Sequence, residues 1–201
     1  LGDVYKRQLY HTSPALHPFP ALEGKKLIVA GAANLLDPLK NMEGGINALN
    51  ILADRHPEVT DHCHAVFFGE ASDSSLFSRL RFPATLAGPM PSDRLRQLYA
   101  ASAVVLSPSL TETLGATVME GIAAGAVGVS YDSGGPRDII TDGENGFIVP
   151  VGDEEALARA IGEALDMENR QGPDGRIRRH DSIANRFDSR AIADRFLSLI
   201  P

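Results

Sequence analysis

Short runs of apolar residues alternate with longer stretches of helical periodicity from Lys26 onward. The apolar runs predict strands at "KLIVAGA", "AVFFG", "AVVLSPS", "AVGVSYDSGG" and "FIVP". The periodic stretches predict helices at "KNMEGGINALNILADRH", "PSDRLRQLYAAS" with Ser92 as its cap, "GATVMEGIAAG", "PRDII" and "DEEALARAIGEAL", and a charged helical segment from Arg176 to Ile200. Buried strands separated by helices of about 10 to 15 residues are typical of βαβ units. The predicted fold class is therefore α/β, a doubly wound parallel sheet.

Three loops are expected at the ligand-binding edge of such a sheet, because ligands bind beyond the carboxyl ends of parallel strands. They are "GAANLLDPLK" after the first strand, "SPSLTETLG" after the strand at 103–106, and "YDSGGP" after the next strand. The second loop contains Glu112, and Glu120 follows in the next helix with seven residues between the two.

Composition and charge exclude several classes of protein. The 201 residues are 43% hydrophobic, enough for one domain with a sizeable core, and the net charge of −7 argues against a general nucleic-acid surface. No run reaches the roughly 18 apolar residues of a membrane helix. A single cysteine, Cys63, forms no internal disulfide, so a reducing, cytoplasmic location is expected. His62 and His64 are expected to share one face of a strand, with too few ligands for a metal.

The start of the chain has an unusual composition. It lacks a methionine, and Asp3 to Gln8 resemble a translation of the transposase end sequence used to prepare sequencing libraries. Residues 1–8 are therefore expected to be an artefactual tail, and the chain a fragment. Residues 9–24, with three prolines, indicate a linker, and residues 25–201 the domain itself.

Glu112 and Glu120 flank a predicted phosphate site. The helix is expected to begin near Leu114 or Gly115, with its unpaired first-turn amides and its positive dipole end in the cleft. Gly115 has no Cβ and permits close approach. The two oxygens of a carboxylate can accept both hydrogens of a vicinal diol. This arrangement suits a nucleotide sugar, whereas Glu155 and Glu163, with the same separation inside a charged helix, are expected to be solvated.

The stretch "PSLTETLGATVMEGIAAGAVGVSYDSGGPRDIITDGENGFIVPVGDEEALARAI" resembles the C-terminal half of the family 4, or group 1, retaining glycosyltransferases. That family has a Glu, seven residues, Glu motif after a "PS" strand end, then a helix of type "EAMACG", a "GG" turn and "DGxNGxLVxxGD". The resemblance extends back through "LYAASAVVLSPS" and "GAANLLDPLKNMEGGINAL". It implies a Rossmann-like domain that forms the donor-binding half of a GT-B fold, facing an N-terminal domain outside this chain.

The resemblance also implies roles for individual residues. Glu112 matches the family's glutamate that hydrogen-bonds the donor sugar's hydroxyls, and Glu120 matches the glutamate that holds the ribose. Lys40, in "DPLKN", matches the lysine that neutralises the leaving diphosphate, although by itself it would be interpreted as a solvated lysine. The loop whose amides face the sugar and the diphosphate corresponds to Thr113, Leu114 and Gly115.

The implied activity is transfer of a sugar, with retention of configuration, from a nucleotide sugar to a glycan, lipid or other acceptor. No metal cofactor is expected, because Lys40 and the helix N-terminus replace the cation and no Asp-x-Asp cluster is present. The isolated fragment is expected to be inactive. Association with a membrane through the other half is left open.

The sequence departs from the family pattern at several positions, and other functions remain open. No arginine follows the first strand, Ala103 replaces the usual aspartate, Pro136 comes one position early, and Ala126 and Gly128 are expected to weaken a strand. The alternatives are a nucleotide-sugar epimerase or a starch or glycogen synthase of the same architecture, a binding-only module, and an NAD-dependent dehydrogenase. The last lacks its G-x-G-x-x-G after the first strand.

Overall fold

The computed structural model describes residues 19–187, 192–193 and 196–198, so the predicted tail and most of the predicted linker lie outside it. Six strands form one sheet: β1 Lys26–Asn34, β2 Cys63–Glu70, β3 Ala84–Gly88, β4 Ser102–Ser107, β5 Val127–Tyr131 and β6 Gly146–Val149. Their order is β3-β2-β1-β4-β5-β6, and every neighbouring pair is parallel. The predicted doubly wound α/β fold is confirmed.

Helices cover both faces of this sheet. They are α1 Met42–Arg55, α2 Pro57–His62, α3 Ser92–Ala101, α4 Ala116–Ala123, α5 Pro136–Ile139 and α6 Glu154–Phe187. Helix α6 bends at Gly172, whose φ of 52° and ψ of −147° are not helical. The charged segment predicted to be helical from Arg176 thus continues α6 as far as Phe187, and much of its remainder lies outside the described residues.

The core has two apolar layers, one on each face of the sheet. Ile28 and Ala30 of β1 point into the layer beneath α1 and α6, whereas Leu27 and Val29 point into the layer beneath α3 and α4. The central strands are therefore buried on both faces, which explains why they read as continuous apolar runs.

Two local predictions are wrong. Ser92 is the first residue of α3 and not its cap; Pro91 takes the cap position, and no side chain caps this helix. His62 ends α2 and Cys63 starts β2, so His62 and His64 do not share a strand face. The cause is Pro57, which starts a short helix that the apolar pattern does not predict. Burial raises the pKa of the Cys63 thiol to about 11, so it stays protonated at neutral pH.

Helix α4 packs against the sheet through glycines. A Cβ on Gly121 would come within 2.5 Å of Val105 Cγ1, and a Cβ on Gly128 within 2.6 Å of Ile122 Cδ1. Val105 presents its branched Cβ to Gly121, so glycine is required there, whereas at Gly128 the end of the Ile122 side chain would have to move. Gly128, which the sequence suggests only as a weakness in β5, thus allows α4 to pack against that strand.

Candidate functional site

The site lies between the carboxyl ends of β1 and β4, the point at which the strand order reverses. In open α/β sheets, the crevice at this reversal is where ligands bind. The loop after β1, residues 35–41, contacts the loop after β4, residues 108–115. The Leu110 amide donates to the Leu39 carbonyl at 2.8 Å, and the Asn41 side chain donates to the Pro108 carbonyl at 3.1 Å.

Lys40 and Glu112 meet across this crevice. Lys40 Nζ donates to Glu112 Oε2 at 2.7 Å, although the residues are 72 positions apart in the chain. The two side chains are 31% and 18% exposed, so the ion pair is partly withdrawn from solvent. The structure thus brings together the two residues to which the family resemblance assigns the donor sugar and the leaving diphosphate.

The backbone around Lys40 is fixed by local hydrogen bonds. The Lys40 amide donates to the Asp37 carbonyl at 2.9 Å, and Asp37 Oδ1 accepts from the Leu39 amide at 2.9 Å. Asn41 has left-handed dihedral angles, φ 48° and ψ 47°, and its side chain accepts from the Gly44 amide at 3.3 Å. Asn41 therefore caps α1 and also joins the two loops, a role that sequence reasoning missed.

The loop that carries Glu112 is held by the turn after β5. The Glu112 amide donates to the Ser133 carbonyl at 2.9 Å, and the Gly135 amide donates to the Glu112 carbonyl at 2.8 Å. A Cβ on Gly134 would lie 2.6 Å from the Glu112 carbonyl oxygen, and one on Gly135 2.5 Å from Leu114 Cα. The "GG" turn is therefore required for this close pairing.

Helix α4 has its N-cap three residues after Glu112, on the same loop. This N-cap is Gly115, with a left-handed φ of 83°. No side chain caps the helix, and its first turn contains no acidic residue. The helix thus starts where the sequence predicts. Its first-turn amides have no partner within the helix and carry the positive end of the dipole. Thr113 and Leu114, just before it, are exposed. This arrangement can bind an anion.

Glu120 makes its contacts with α3. The Tyr99 side chain hydrogen-bonds to its carboxylate, and the charge of Arg96 also acts on it. Desolvation raises the pKa of Glu120 above its usual value, while Tyr99 and Arg96 oppose that shift, even though the residue is exposed on the helix surface. Sequence reasoning missed both neighbours. Their spacing of three residues on one helix, which puts them on one face, was the available signal.

A cavity of about 860 Å³ lies at the opposite, amino edge of the sheet. It is lined by the starts of β1 and β2, the end of α1, helix α2 and the middle of α6, and includes none of the predicted site residues. Among the residues that the structure describes, no group of three or more His, Cys, Asp or Glu side chains is placed to hold a metal ion. None of the described helices is both long and apolar enough for a membrane span.

A parallel sheet of this strand order, with its site at the reversal point, defines the Rossmann-like α/β class. Within that class the chain belongs to the group 1 glycosyl transferases, because that family's model matches residues 24–167. The lipopolysaccharide core biosynthesis glycosyltransferase LpsE of Rhizobium meliloti is 34% identical over 143 residues, covering 71% of this chain and 39% of that protein. A D-inositol 3-phosphate glycosyltransferase of Acidothermus cellulolyticus is 33% identical, covering 65% and 32%.

Solved structures share the fold. The Anabaena protein HepE, solved in complex with UDP, matches with a TM-score of 0.75 and 23% identity, covering 96% of this chain and 55% of that one. A UDP-forming trehalose-phosphate synthase from Burkholderia xenovorans matches with a TM-score of 0.75 and 18% identity, covering 98% and 49%. The chain therefore spans about half of these structures and less than half of the curated relatives, and the predicted family membership is confirmed.

Proposed function

We propose that this chain binds the nucleotide-sugar donor of a retaining glycosyltransferase that acts on a glycan, lipid or other acceptor. The observation that carries the proposal is the Lys40–Glu112 contact at 2.7 Å, on the loop that leads into the uncapped N-terminus of α4. A cation and a carboxylate then meet in the crevice, and a helix N-terminus follows the carboxylate by three residues, in a chain of the group 1 glycosyltransferase family.

Each of these groups suits one part of the donor. The diphosphate lies at the first turn of α4, where free amides and Lys40 neutralise it. Glu112 accepts hydrogen bonds from the sugar's hydroxyls, the amides of residues 113–115 face the sugar and the diphosphate, and Glu120 accepts from the ribose. When the bond between the anomeric carbon and the phosphate oxygen breaks, the electron pair stays on the diphosphate. The same fixed positive groups stabilise it there.

The proposal includes independence from metal ions, since Lys40 and the α4 N-terminus supply the positive charge that a divalent cation would supply. In a complete protein that carries this chain, excess chelator should leave the transfer rate unchanged. Loss of transfer that magnesium or manganese restores would contradict this part of the proposal.

Exposed apolar side chains around the ion pair support a facing domain. Leu39, Leu110 and Leu114 are 54%, 38% and 47% exposed and come from the two loops of the crevice. Apolar groups gathered at a polar site favour a partner surface that covers them. In the proposal an N-terminal domain of the same protein covers this edge, seats the acceptor and excludes water. The single cysteine supports a reducing, cytoplasmic setting.

Nucleotide binding by this chain tests the proposal. After circular dichroism confirms folding, titration calorimetry with UDP, GDP and ADP should show binding of at least one, which also identifies the base. A folded chain that binds none of them would contradict the donor-binding role. The chain alone should transfer no sugar, because the acceptor site is incomplete, and robust transfer by it would show that it is more than the donor half.

A further inference from the structure

Lys40 and Glu112 pair with each other in the structure, although the proposed function gives them different ligand groups. Lys40 Nζ lies 2.7 Å from Glu112 Oε2. In the donor complex, the ammonium must instead face the diphosphate, and the carboxylate must face sugar hydroxyls. Donor binding therefore exchanges this ion pair for two new contacts.

Hydrogen bonds of the two surrounding loops hold Lys40 and Glu112 in position. Backbone hydrogen bonds fix position 112 on the turn after β5, and the contacts from Leu39 and Asn41 hold the two loops together. An ion pair between long side chains in full solvent contributes little, largely because ordering both chains costs entropy. Here the side chains are less than a third exposed and their backbones are already fixed, so breaking the pair has a larger cost.

We propose that Glu112 sequesters Lys40 through this ion pair, so that a bare nucleoside diphosphate must break the pair to bind, whereas the nucleotide sugar compensates for the break. This inference rests on the proposed function and adds a specificity role to the same two residues. The site selects the intact donor over the product that remains after transfer.

A nucleoside diphosphate and a nucleotide sugar differ in the groups that they present to Glu112. A nucleoside diphosphate takes the ammonium and leaves a partly buried carboxylate unpaired, next to a terminal phosphate that carries one more ionisable oxygen than a sugar ester. Both effects weaken the binding of the nucleoside diphosphate, because an unpaired buried charge and a contact between like charges are unfavourable. A nucleotide sugar presents hydroxyl donors at that point. Once the sugar is transferred, Glu112 competes again for Lys40 and favours release of the product.

The Glu112→Gln variant tests this exchange. Titration calorimetry with whichever of UDP, GDP and ADP binds the wild-type chain most tightly should show affinity about threefold to tenfold higher in the variant, because the freed Lys40 needs no exchange. The matching monophosphate, which lacks the terminal phosphate, should bind both chains alike. Glu163→Gln removes the same charge from an exposed position on α6 and should change neither affinity.

A double-mutant cycle separates sequestration from simple repulsion. Removing the Glu112 charge relieves its repulsion of the phosphate whether or not Lys40 is present, so that effect also appears in the Lys40→Met background. Sequestration predicts a clearly larger gain when Lys40 is present. Preference should also shift from UDP-glucose toward UDP, or from GDP-mannose toward GDP, in Glu112→Gln.

The outcomes distinguish this inference from the proposed function. A folded wild-type chain that binds none of the diphosphates overturns both. Wild-type binding with equal or weaker diphosphate affinity in Glu112→Gln, or an equal gain in both backgrounds, overturns sequestration alone. Circular dichroism and thermal melting check each variant. Should Glu112→Gln fail to fold, Glu112→Ser also removes the carboxylate while keeping the backbone hydrogen bonds of that position.

Discussion

Two pairs of glutamates in this chain have the same separation and opposite surroundings. Glu112 and Glu120 lie on a loop and the following helix at the carboxyl edge of the sheet, where Lys40 and Tyr99 contact them. Glu155 and Glu163 both lie on α6 and are exposed. Glu155 pairs with Arg55 at 2.6 Å, with about half of each side chain in solvent, and Glu163 borders the amino-edge cavity.

The comparison teaches that a candidate binding carboxylate is distinguished from a surface one by its location on the sheet. Neither the separation of the glutamates along the chain nor the presence of a cavity distinguishes them. The amino-edge cavity contains charged side chains of both signs, such as Arg159 and Asp166. At the carboxyl edge, strand ends, glycine turns and a helix N-terminus converge, so fixed backbone dipoles add to a few side chains. The fold itself, through these backbone dipoles, then contributes to the sign of the electrostatic potential at the carboxyl edge.

The largest effect is expected from Lys40, compared with a lysine at the other edge. In the complete protein, Lys40→Met should lower the transfer rate about 10²- to 10³-fold, because it removes a fixed positive group from the developing charge of the diphosphate. Lys26→Met, at the start of β1 beside the amino-edge cavity, is the matched control and should leave the rate nearly unchanged. Steady-state kinetics measures both, and similar losses would refute the distinction between the edges.

The next effect concerns the second glutamate of each pair. Glu120→Ala should weaken nucleoside diphosphate binding about tenfold to a hundredfold, since a hydrogen bond to a charged group contributes roughly 1.5–3 kcal/mol. Glu163→Ala shares the spacing and should bind as the wild type does. Calorimetry on the two purified variants decides, and equal affinities would show that Glu120 has no role at the ribose.

Much of the fold was predictable because buried parallel strands leave a strong signal. Five of the six strands appear as apolar runs, and α4 starts at Gly115 as the sequence indicates. The exception is β3, an edge strand with no buried residue, whose "ATLAG" has no apolar run. Its place in the sheet depends on pairing with β2, which is a tertiary contact that local sequence does not record.

The candidate site was predicted as residues and not as contacts. The family resemblance pointed to Lys40 and Glu112, but their ion pair depends on loops 72 residues apart meeting at the strand-order reversal. Nor does the sequence show that Asn41 would adopt left-handed dihedral angles, or that Tyr99 would lie beside Glu120. Such long-range contacts are decided by packing, and local patterns carry no information about them.

A smaller effect is expected from two glycines that differ in what surrounds them. Gly135→Ala would place a Cβ 2.5 Å from Leu114 Cα, where backbone cannot yield, and should lower the free energy of unfolding by about 1–3 kcal/mol. In Gly162→Ala, on α6, the nearest neighbour is Leu52 Cδ1 at 3.7 Å, so alanine should fit and stabilise by up to about 1 kcal/mol. Urea unfolding measures both. A stable Gly135→Ala chain would refute the requirement for glycine beside the Glu112 loop.

The smallest expected effect is a dependence on pH that separates Glu120 from an ordinary surface glutamate. Desolvation raises its pKa above that of an ordinary glutamate, against the opposing effects of Tyr99 and Arg96, so it takes up a proton at a higher pH than in the unfolded chain. Only the ionised carboxylate is purely an acceptor. On acidification, nucleotide affinity should therefore start to fall at a pH above the range in which ordinary glutamates titrate. The first loss of affinity should be less than about tenfold. Stability should change in the opposite direction, because a raised folded pKa disfavours the ionised folded state and protonation relieves that cost as the pH falls.

Glu120→Gln should remove both pH dependences, while titration of the nucleotide's own phosphate remains in both chains and cancels in the comparison. Calorimetry and urea unfolding over the same pH series test the pair of opposite trends, and trends unaltered by Glu120→Gln would show that another group titrates.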